Sequence, residues 1–279
     1  MQSVFSPSSL SCFENCPKQY SFRYIEKIEV ESEGVEAFVG KRVHEVLERL
    51  YLFVGQGMLP SIQKVIARYY ANFDEQYDAG RVRIAREGTP LDFYRDAGAL
   101  GLDRFYRRHY PFDRDETVGL ERKIQFRLDE DGRYAVRGII DRIARAKDGA
   151  LEIHDYKTGR RIPKQDELDR DRQLGLYELG IREQLGESGD VRLVWHYVIR
   201  DESRSSQRSP EQRELLRHNT ARAIDKIRSE REFAPRPSGL CNWCEFKDRC
   251  PAVNPARAAE LAALAADLDP PEPEQLSLL

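Results

Sequence analysis

Residues 138–159 read GIIDRIARAKDGALEIHDYKTG, and the strongest strand and turn signals of the chain lie in this segment. The β-branched run around Asp141 predicts a strand, and the Lys-Asp-Gly sequence at 147–149 predicts a tight turn. Beyond the turn, Asp155 and Lys157 fall on one face of a second strand, because side chains two residues apart point the same way. The stretch therefore predicts a β-hairpin.

The predicted hairpin brings Asp141 close to Asp155. Two carboxylates at that range repel, and one would be protonated unless a cation lies between them. A hard divalent ion such as Mg²⁺ or Mn²⁺ suits oxygen ligands and water. Lys157 lies on the same face, where its ammonium can orient a water and offset charge on a phosphate. This layout indicates metal-assisted phosphodiester cleavage; an exposed ion pair on a surface hairpin is the alternative.

Asp141 and the Asp155-Tyr156-Lys157 element resemble the PD-(D/E)XK nuclease superfamily. The leading proline of that motif is absent, since Ile140 precedes Asp141, a departure common in the RecB-type branch. The resemblance implies an α/β, restriction-endonuclease-like core, with a mixed central sheet flanked by helices. It also implies catalytic roles for Asp141, Asp155 and Lys157, with the carbonyl of Tyr156 as a further metal ligand.

Composition is that of a globular protein: of 279 residues, 33% are charged and 40% hydrophobic. No run of apolar residues is long enough for a membrane span, and the first residues lack the features of a signal peptide. We therefore expect a cytoplasmic protein. The net charge of −3 includes residues 267–279, which contain four acids and no base, so the remaining chain carries +1. Local basic clusters can still hold phosphates.

His44 lies in residues 40–54, whose apolar side chains recur at helical spacing. A single histidine there is more often a core or cap residue than a ligand. However, Gly40 and His44 match the G-x-x-x-H element of iron–sulfur nucleases in the RecB-type branch. That resemblance implies that His44 is a third ligand of the Mg²⁺ or Mn²⁺ ion.

The rest of the core is predicted from hydrophobic periodicity. We expect a helical insertion at about 60–115, then strands that form an antiparallel meander with the hairpin, and a buried strand reached through a helix. The predicted elements are strands at 121–128, 134–143, 150–157 and 191–199, helices at 166–185 and 211–232, and a polar loop at 202–210.

Gln173 and Tyr177 are spaced i, i+4 in the predicted helix and share one face. They resemble the Q-x-x-x-Y element that follows the D-X-K lysine in RecB-type nucleases, where it borders the active site and contacts DNA. A surface pair on a helix is the alternative. The basic residues just after Lys157 are further candidates for DNA binding: Arg160, Arg161 and Lys164.

Cys241, Cys244 and Cys250 place three thiols in ten residues, which indicates a metal centre in a cytosolic protein. Cys12 or Cys16 would supply the fourth ligand, and the spacing leaves zinc and an iron–sulfur cluster open. Thiols without any metal are the alternative. The pattern S-x-L-x-x-F-x-x-C-P early and C-x-x-C-x5-C-P late resembles iron–sulfur RecB-type nucleases, including the CRISPR adaptation nucleases and AddB-type domains. That resemblance implies a [4Fe–4S] cluster held by Cys16, Cys241, Cys244 and Cys250, which joins the two ends of the chain.

The chain ends in an alanine-rich helix predicted over 255–268 and an acidic, proline-rich segment. The last five residues resemble the bacterial sliding-clamp-binding peptide, with Gln275, Leu276, Leu278 and Leu279 as the contacts. A frayed tail is the alternative. The expected organisation is a cluster-ligand segment at 1–39, a nuclease core at 40–254 with the late cysteines at 241–250, and this C-terminal segment at 255–279.

The sequence thus predicts a Mg²⁺- or Mn²⁺-dependent deoxyribonuclease, an exonuclease or end-processing enzyme that acts on single-stranded DNA or duplex ends in DNA repair or recombination. The first alternative is a non-catalytic iron–sulfur or zinc DNA-binding adaptor that docks on a sliding clamp. The second is a regulatory module stapled by zinc.

Overall fold

The computed structural model describes residues 4–30 and 32–266. These residues divide into two compact units: 4–11 and 32–230 form the larger unit, and 12–30 and 231–266 form the smaller unit. Gln275–Leu279, the segment predicted to dock on a sliding clamp, lies outside the described residues. Within the described ranges, no helix has the length and apolar character needed to cross a bilayer.

The larger unit is built on a mixed β-sheet. The strands are β1 (Val4–Phe5), β2 (Glu33–Gly34), β3 (Val82–Arg83), β4 (Asp115–Arg127), β5 (Ala135–Ala146), β6 (Leu151–Lys157), β7 (Val191–Tyr197) and β8 (Glu202–Ser206). β2 and β3 pair separately, and the main sheet has the order β4-β5-β6-β7-β8 with β1 along β5. The predicted meander of β4, β5 and β6 is antiparallel, whereas β6 and β7 are parallel.

Helices flank this sheet, as predicted for the core. In the part of the chain that the structure describes, the helices are α1 (Pro7–Asn15), α2 (Pro17–Tyr20), α3 (Val35–Gly55), α4 (Ile62–Gln76), α5 (Leu91–His109), α6 (Gln165–Leu168), α7 (Arg172–Leu185), α8 (Pro210–Ser229) and α9 (Pro255–Ala266). Of these, α2 and α9 belong to the smaller unit. α7 packs against β4 to β7, and α3 packs against β4 and β5. A parallel pair such as β6 and β7 requires a crossover, which α7 supplies. The predicted α/β class with a mixed central sheet is confirmed.

α3, α4 and α5 pack on one another and bury a shared core. α4 and α5 occupy the segment in which a helical insertion is predicted. Leu47, Tyr69 and Phe105, one from each helix, are almost completely buried. Burial of such side chains contributes roughly 1.5–3 kcal/mol each, so this cluster holds α3 firmly in place.

The prediction of one continuous helix over 166–185 is wrong for its first part. α6 ends at Leu168, and α7 begins only at Arg172. The break occurs because the carboxylate of Asp171 accepts a hydrogen bond from the backbone N–H of Leu174 at 2.9 Å and so caps a new helix.

The polar loop predicted over 202–210 is also wrong, because Glu202–Ser206 forms the edge strand β8. The preceding strand, predicted to run to residue 199, ends at Tyr197 and continues into a 3₁₀ turn. Asp201 adopts a positive φ of 52° and reverses the chain direction. β8 then pairs antiparallel with β7, and no other described strand pairs with it. A polar sequence suits such an edge.

The hairpin of β5 and β6 has the predicted turn, with Gly149 at a φ of +88°. Ile143 pairs with Ile153, and this register extends to place Asp141 opposite Asp155. The alternate residues point to the other face of the sheet, where Arg142 pairs with His154. The hairpin therefore presents acids on one face and a different polar group on the other.

That second face holds a buried, charge-compensated network. Arg142 is 1% exposed and donates two hydrogen bonds to Asp115, at 2.6 and 3.1 Å. Arg142 Nη2 also lies 3.0 Å from His154 Nε2, so this nitrogen accepts. His154 Nδ1–H then donates to His196 Nε2 at 2.9 Å. Burial first, and then the charge of Arg142, hold the pKa of His154 well below its usual value, and burial does the same for the pKa of His196.

These two histidines predict a specific loss of stability in acid. In the folded state they stay neutral, whereas in the unfolded chain each takes up a proton below about pH 6.5. The two neutral histidines therefore contribute fully to the free energy of unfolding above about pH 6.5. This contribution is lost as the pH falls toward the lower pKa values that they have in the folded protein. Below about pH 6.5, we expect the free energy of unfolding to fall more steeply in the wild type than in His196→Gln. The two slopes should differ by up to about 1.4 kcal/mol per pH unit, because the variant lacks one histidine that takes up a proton on unfolding.

Urea unfolding at a series of pH values measures both slopes. His218→Gln is the control, because His218 lies on an exposed face of α8 and should keep the wild-type slope. An unchanged slope in His196→Gln would contradict the prediction.

Candidate active site and cysteine-lined cavity

Asp141 and Asp155 share a largely buried pocket on the first face of the hairpin. The backbone N–H of Tyr156 donates to Asp141 Oδ2 at 2.8 Å, and Gln173 Nε2 donates to Asp155 Oδ1 at 2.9 Å. Asp155 is 3% exposed. Burial, and next the charge of Asp155, raise the pKa of Asp141 from 3.8 to about 7. The pocket therefore holds more negative charge than its own donors balance.

Lys157 is the cation nearest to these acids. Its Nζ lies 2.7 Å from Asp155 Oδ2 and donates to Gln173 Oε1 at 2.8 Å. Oδ2 of Asp155 still has no well-directed hydrogen bond from any described residue. Burial alone would lower the pKa of Lys157, but the carboxylates of Asp155 and Asp141 outweigh it, so its pKa is raised and the amine stays charged. Gln173 thus fixes both the acid and the amine.

His44 reaches the same pocket from α3. Its Nε2–H donates to the carbonyl oxygen of Tyr156 at 2.7 Å, and its Nδ1 lies 3.6 Å from Asp141 Oδ2. Of the predicted ligands, His44, Asp141 and the Tyr156 carbonyl are therefore brought together, and Asp155 lies opposite Asp141 on the neighbouring strand with its oxygens toward Lys157 and Gln173. The composition of this set, with carboxylate, carbonyl and imidazole atoms, fits Mg²⁺ or Mn²⁺.

Glu121 is a further acid of this pocket that the sequence interpretation missed. Ligand atoms of His44, Glu121 and Asp141 all lie within 4.8 Å of one another. Burial raises the pKa of Glu121, Glu48 adds to this, and His44 opposes it. Glu121 has a φ of 42°, a strained value for this residue type that re-aims its side chain from β4.

A signal for Glu121 was present in the sequence. The turn between β4 and β5 is centred on residue 131, which sets a register of Arg122 with Ile140 and Leu120 with Arg142. Glu121 then falls opposite Asp141. Had this cross-strand register been followed, the third carboxylate would have been expected beside the first.

Gln173 and Tyr177 lie on α7 at the border of the pocket. Gln173 Nε2 also donates to the hydroxyl of Tyr177 at 3.2 Å. A Cβ at Gly138 would come within 2.4 Å of the Tyr177 ring, so only glycine lets the ring lie against β5. Burial raises the pKa of Tyr177 to about 12, so its hydroxyl stays protonated. The predicted i, i+4 pair therefore faces the acids.

The three basic candidates after Lys157 have different surroundings. The guanidinium of Arg160 lies over the ring of Phe93, Arg161 pairs with Glu167, and Lys164 precedes α6 as its N-cap. All three are at least partly exposed, and their contacts with DNA stay a prediction.

The smaller unit contains all five cysteines as free thiols. The four predicted cluster ligands line one cavity: Cys16, Cys241, Cys244 and Cys250. The backbone N–H groups of Arg236 and Ser238 point at Cys16 Sγ and Cys241 Sγ, at 3.4 and 3.3 Å. Among the described residues, no three sulfur atoms lie within 4.8 Å of one another.

Cys12 differs from the other four cysteines. It is 6% exposed, as expected for a thiol outside the ligand set, and burial raises its pKa to about 12. Burial also raises the pKa of Cys244, to about 11. A bound metal would reverse this, because thiolate ligands lose their protons on coordination.

Comparison with known proteins agrees with the geometry of the pocket. A model of the PD-(D/E)XK nuclease superfamily matches residues 4–251. The chain belongs to this superfamily. Nucleases of the superfamily use divalent metals, and the acidic group of the pocket is able to bind one. No curated protein sequence matches the chain.

Two solved structures resemble the chain. One is a candidate exonuclease from Eubacterium rectale, with 12% identity, coverage of 88% of each chain and a TM-score of 0.49. The other is the protein SSO0001, with 15% identity, coverage of 91% of this chain and 88% of that one, and a TM-score of 0.44. Because both scores are below 0.5, the superfamily assignment rests on the family match.

The pocket predicts that Asp141→Asn stabilises the metal-free protein. Asp141 has a folded pKa of about 7 against an ordinary 3.8, so its favourable contribution is present below 3.8 and is lost as pH rises through about 7. At about pH 8 in EDTA, we expect the variant to be more stable than the wild type by about 1–3 kcal/mol, since one pKa unit corresponds to about 1.4 kcal/mol.

Urea unfolding measures this difference, and Mn²⁺ should abolish or reverse it, because the ion binds the folded wild type. Asp131→Asn, at an exposed turn, is the control. It should change the free energy of unfolding neither in EDTA nor in Mn²⁺. A variant less stable than the wild type in EDTA would contradict the prediction.

Proposed function

We propose that the chain is a Mg²⁺- or Mn²⁺-dependent DNA nuclease that processes single-stranded DNA or duplex ends during DNA repair or recombination. The observation that carries this proposal is the shared pocket of Asp141, Asp155 and Lys157, bridged by Gln173. His44 and the carbonyl of Tyr156 complete a ligand set for the ion, and Glu121 adds a carboxylate at its edge.

A divalent ion in this pocket would supply a polarised water and neutralise charge on the scissile phosphate. Asp141 and Asp155 would hold that ion in place. Lys157 stays charged, and its ammonium orients the nucleophile and balances the developing negative charge. Gln173 fixes the geometry of the Lys157–Asp155 ion pair, because it hydrogen-bonds to both.

The proposal predicts that Lys157→Met and Asp155→Asn each lower DNA cleavage by at least about 100-fold. The assay uses end-labelled linear and circular single-stranded DNA with Mn²⁺, beside EDTA. Cleavage of the linear substrate alone indicates an exonuclease. Lys123→Met, on an exposed part of β4, is the control and should keep wild-type activity. Retained activity in either pocket variant, with an unchanged circular dichroism spectrum, would contradict the assignment.

The non-catalytic adaptor is the second function considered. The intact pair of acids with its lysine favours the enzyme, since an adaptor has no need of this costly pocket. If the wild type itself cleaves no DNA in this assay, the result would favour the adaptor. Docking on a sliding clamp through Gln275–Leu279 stays a prediction from the sequence.

We further propose that the smaller unit holds a [4Fe–4S] cluster, as in the RecB-type iron–sulfur branch. The four candidate ligands line one cavity, and two of them receive backbone N–H donors. The resemblance of the cysteine pattern to iron–sulfur nucleases of the RecB-type branch favours a cluster over zinc, which would be held by the same thiolates.

Anaerobic purification should therefore yield a brown protein that absorbs near ~400 nm, since cluster thiolates absorb there and zinc thiolates do not. Cys16→Ser and Cys244→Ser should each lose most of this absorbance and the associated iron. Cys12→Ser is the matched control, because Cys12 is buried outside the ligand set, and it should keep both. A colourless protein that contains zinc would refute the cluster.

A further inference from the structure

Phe93 and Arg160 form an exposed pair in the larger unit. Phe93 lies in the first turn of α5 and is 41% exposed. The guanidinium carbon of Arg160 lies 4.6 Å from the centroid of its ring, a cation–π contact. Because the contact covers only part of the ring, apolar aromatic surface remains open to solvent.

The charge of Arg160 is also available. Among the residues that the structure describes, no carboxylate forms an ion pair with Arg160, whereas Arg161 beside it pairs with Glu167. Asp92 precedes Phe93 in the same helical turn but forms no such pair with Arg160 either. An arginine held over a ring without a carboxylate keeps its fork of donors free for a phosphate.

The pair lies close to the active-site pocket. Arg160 follows Lys157 by three residues, so their Cα atoms are at most about 11 Å apart. Between them, Thr158 lies against α3: a Cβ at Gly40 would be 3.0 Å from its Oγ1. Gly40 is one helical turn before His44. The loop that carries Arg160 is therefore anchored beside the helix that carries the proposed metal ligand.

We propose that Phe93 and Arg160 form a binding site for one unpaired nucleotide of the substrate and select single-stranded over double-stranded DNA. The base stacks on the open surface of the Phe93 ring, and Arg160 binds the adjoining phosphate. Inside a duplex, neighbouring base pairs cover both faces of each base, so an interior base has no free face for the Phe93 ring to contact. This inference rests on the proposed nuclease function, because the loop that carries Arg160 directly follows Lys157 of that site.

Fluorescence anisotropy with labelled oligothymidylate and a labelled blunt duplex, in EDTA so that no cleavage occurs, tests the proposal. Phe93→Ala should weaken binding of the single strand by about tenfold and change duplex binding by less than about twofold. Phe53→Ala is the matched control, since it removes a comparable pair, Arg49 with Phe53 at 5.4 Å on α3. It should change neither affinity.

Phe93→Trp guards against a purely structural effect, because it keeps a stacking ring at this position. It should bind the single strand at least as tightly as the wild type. An equal loss for both DNAs in Phe93→Ala, no loss at all, or weaker binding by Phe93→Trp would overturn the proposal.

Cleavage assays separate failure of this inference from failure of the proposed function. If the wild type cleaves DNA with Mn²⁺ but Phe93→Ala keeps the wild-type preference for single strands, the stacking site is refuted and the nuclease stands. If the wild type cleaves neither DNA, the nuclease function fails, and the inference that depends on it falls as well.

Discussion

The repulsion between two buried carboxylates governs the larger unit. Asp141 and Asp155 are held in one pocket by the register of a hairpin, and burial together with mutual repulsion gives one of them a pKa of about 7. Glu121 adds negative charge at the same place, and Lys157 offsets only part of it. A fold that keeps such a pocket loses stability unless a cation enters, so the arrangement is explained by what binds there rather than by packing.

The opposite face of the same hairpin explains how this repulsion is tolerated. There Arg142 bonds twice to Asp115 across the strand pair and also to His154, so every charge has a partner. A slip of one residue in β5 would turn Arg142 to the face of Asp155 and Asp141 to the face of Asp115 and His154, and would break the bonds that Arg142 makes to Asp115 and His154. We infer that the charge-compensated face fixes the register that the strained face requires.

Much of this could be predicted from sequence because alternation and turn residues are local signals. The hairpin followed from a β-branched run and the Gly149 turn, and the meander from apolar alternation. The mixed sheet followed from a buried strand reached through a helix and from the resemblance to the nuclease superfamily. The start of α7 did not, because it depends on the single side-chain cap of Asp171 within an otherwise helical pattern. β8 was missed because an edge strand of serine and charged residues lacks apolar alternation. Glu121 was missed because its contribution depends on cross-strand register, a relation between distant residues.

The two candidate metal sites differ in their donor atoms, and the donor atoms determine which metal each site prefers. The pocket of the larger unit offers carboxylate, carbonyl and imidazole atoms, which suit a hard divalent cation that keeps several water ligands. The cavity of the smaller unit offers only sulfur among its candidate ligands, at positions that begin with Cys16 and resume after more than 200 residues with Cys241. Soft thiolates bind zinc or iron–sulfur centres and hold Mg²⁺ poorly. One site is therefore suited to exchangeable, catalytic metal, and the other to metal that stays bound and ties distant parts of the chain together.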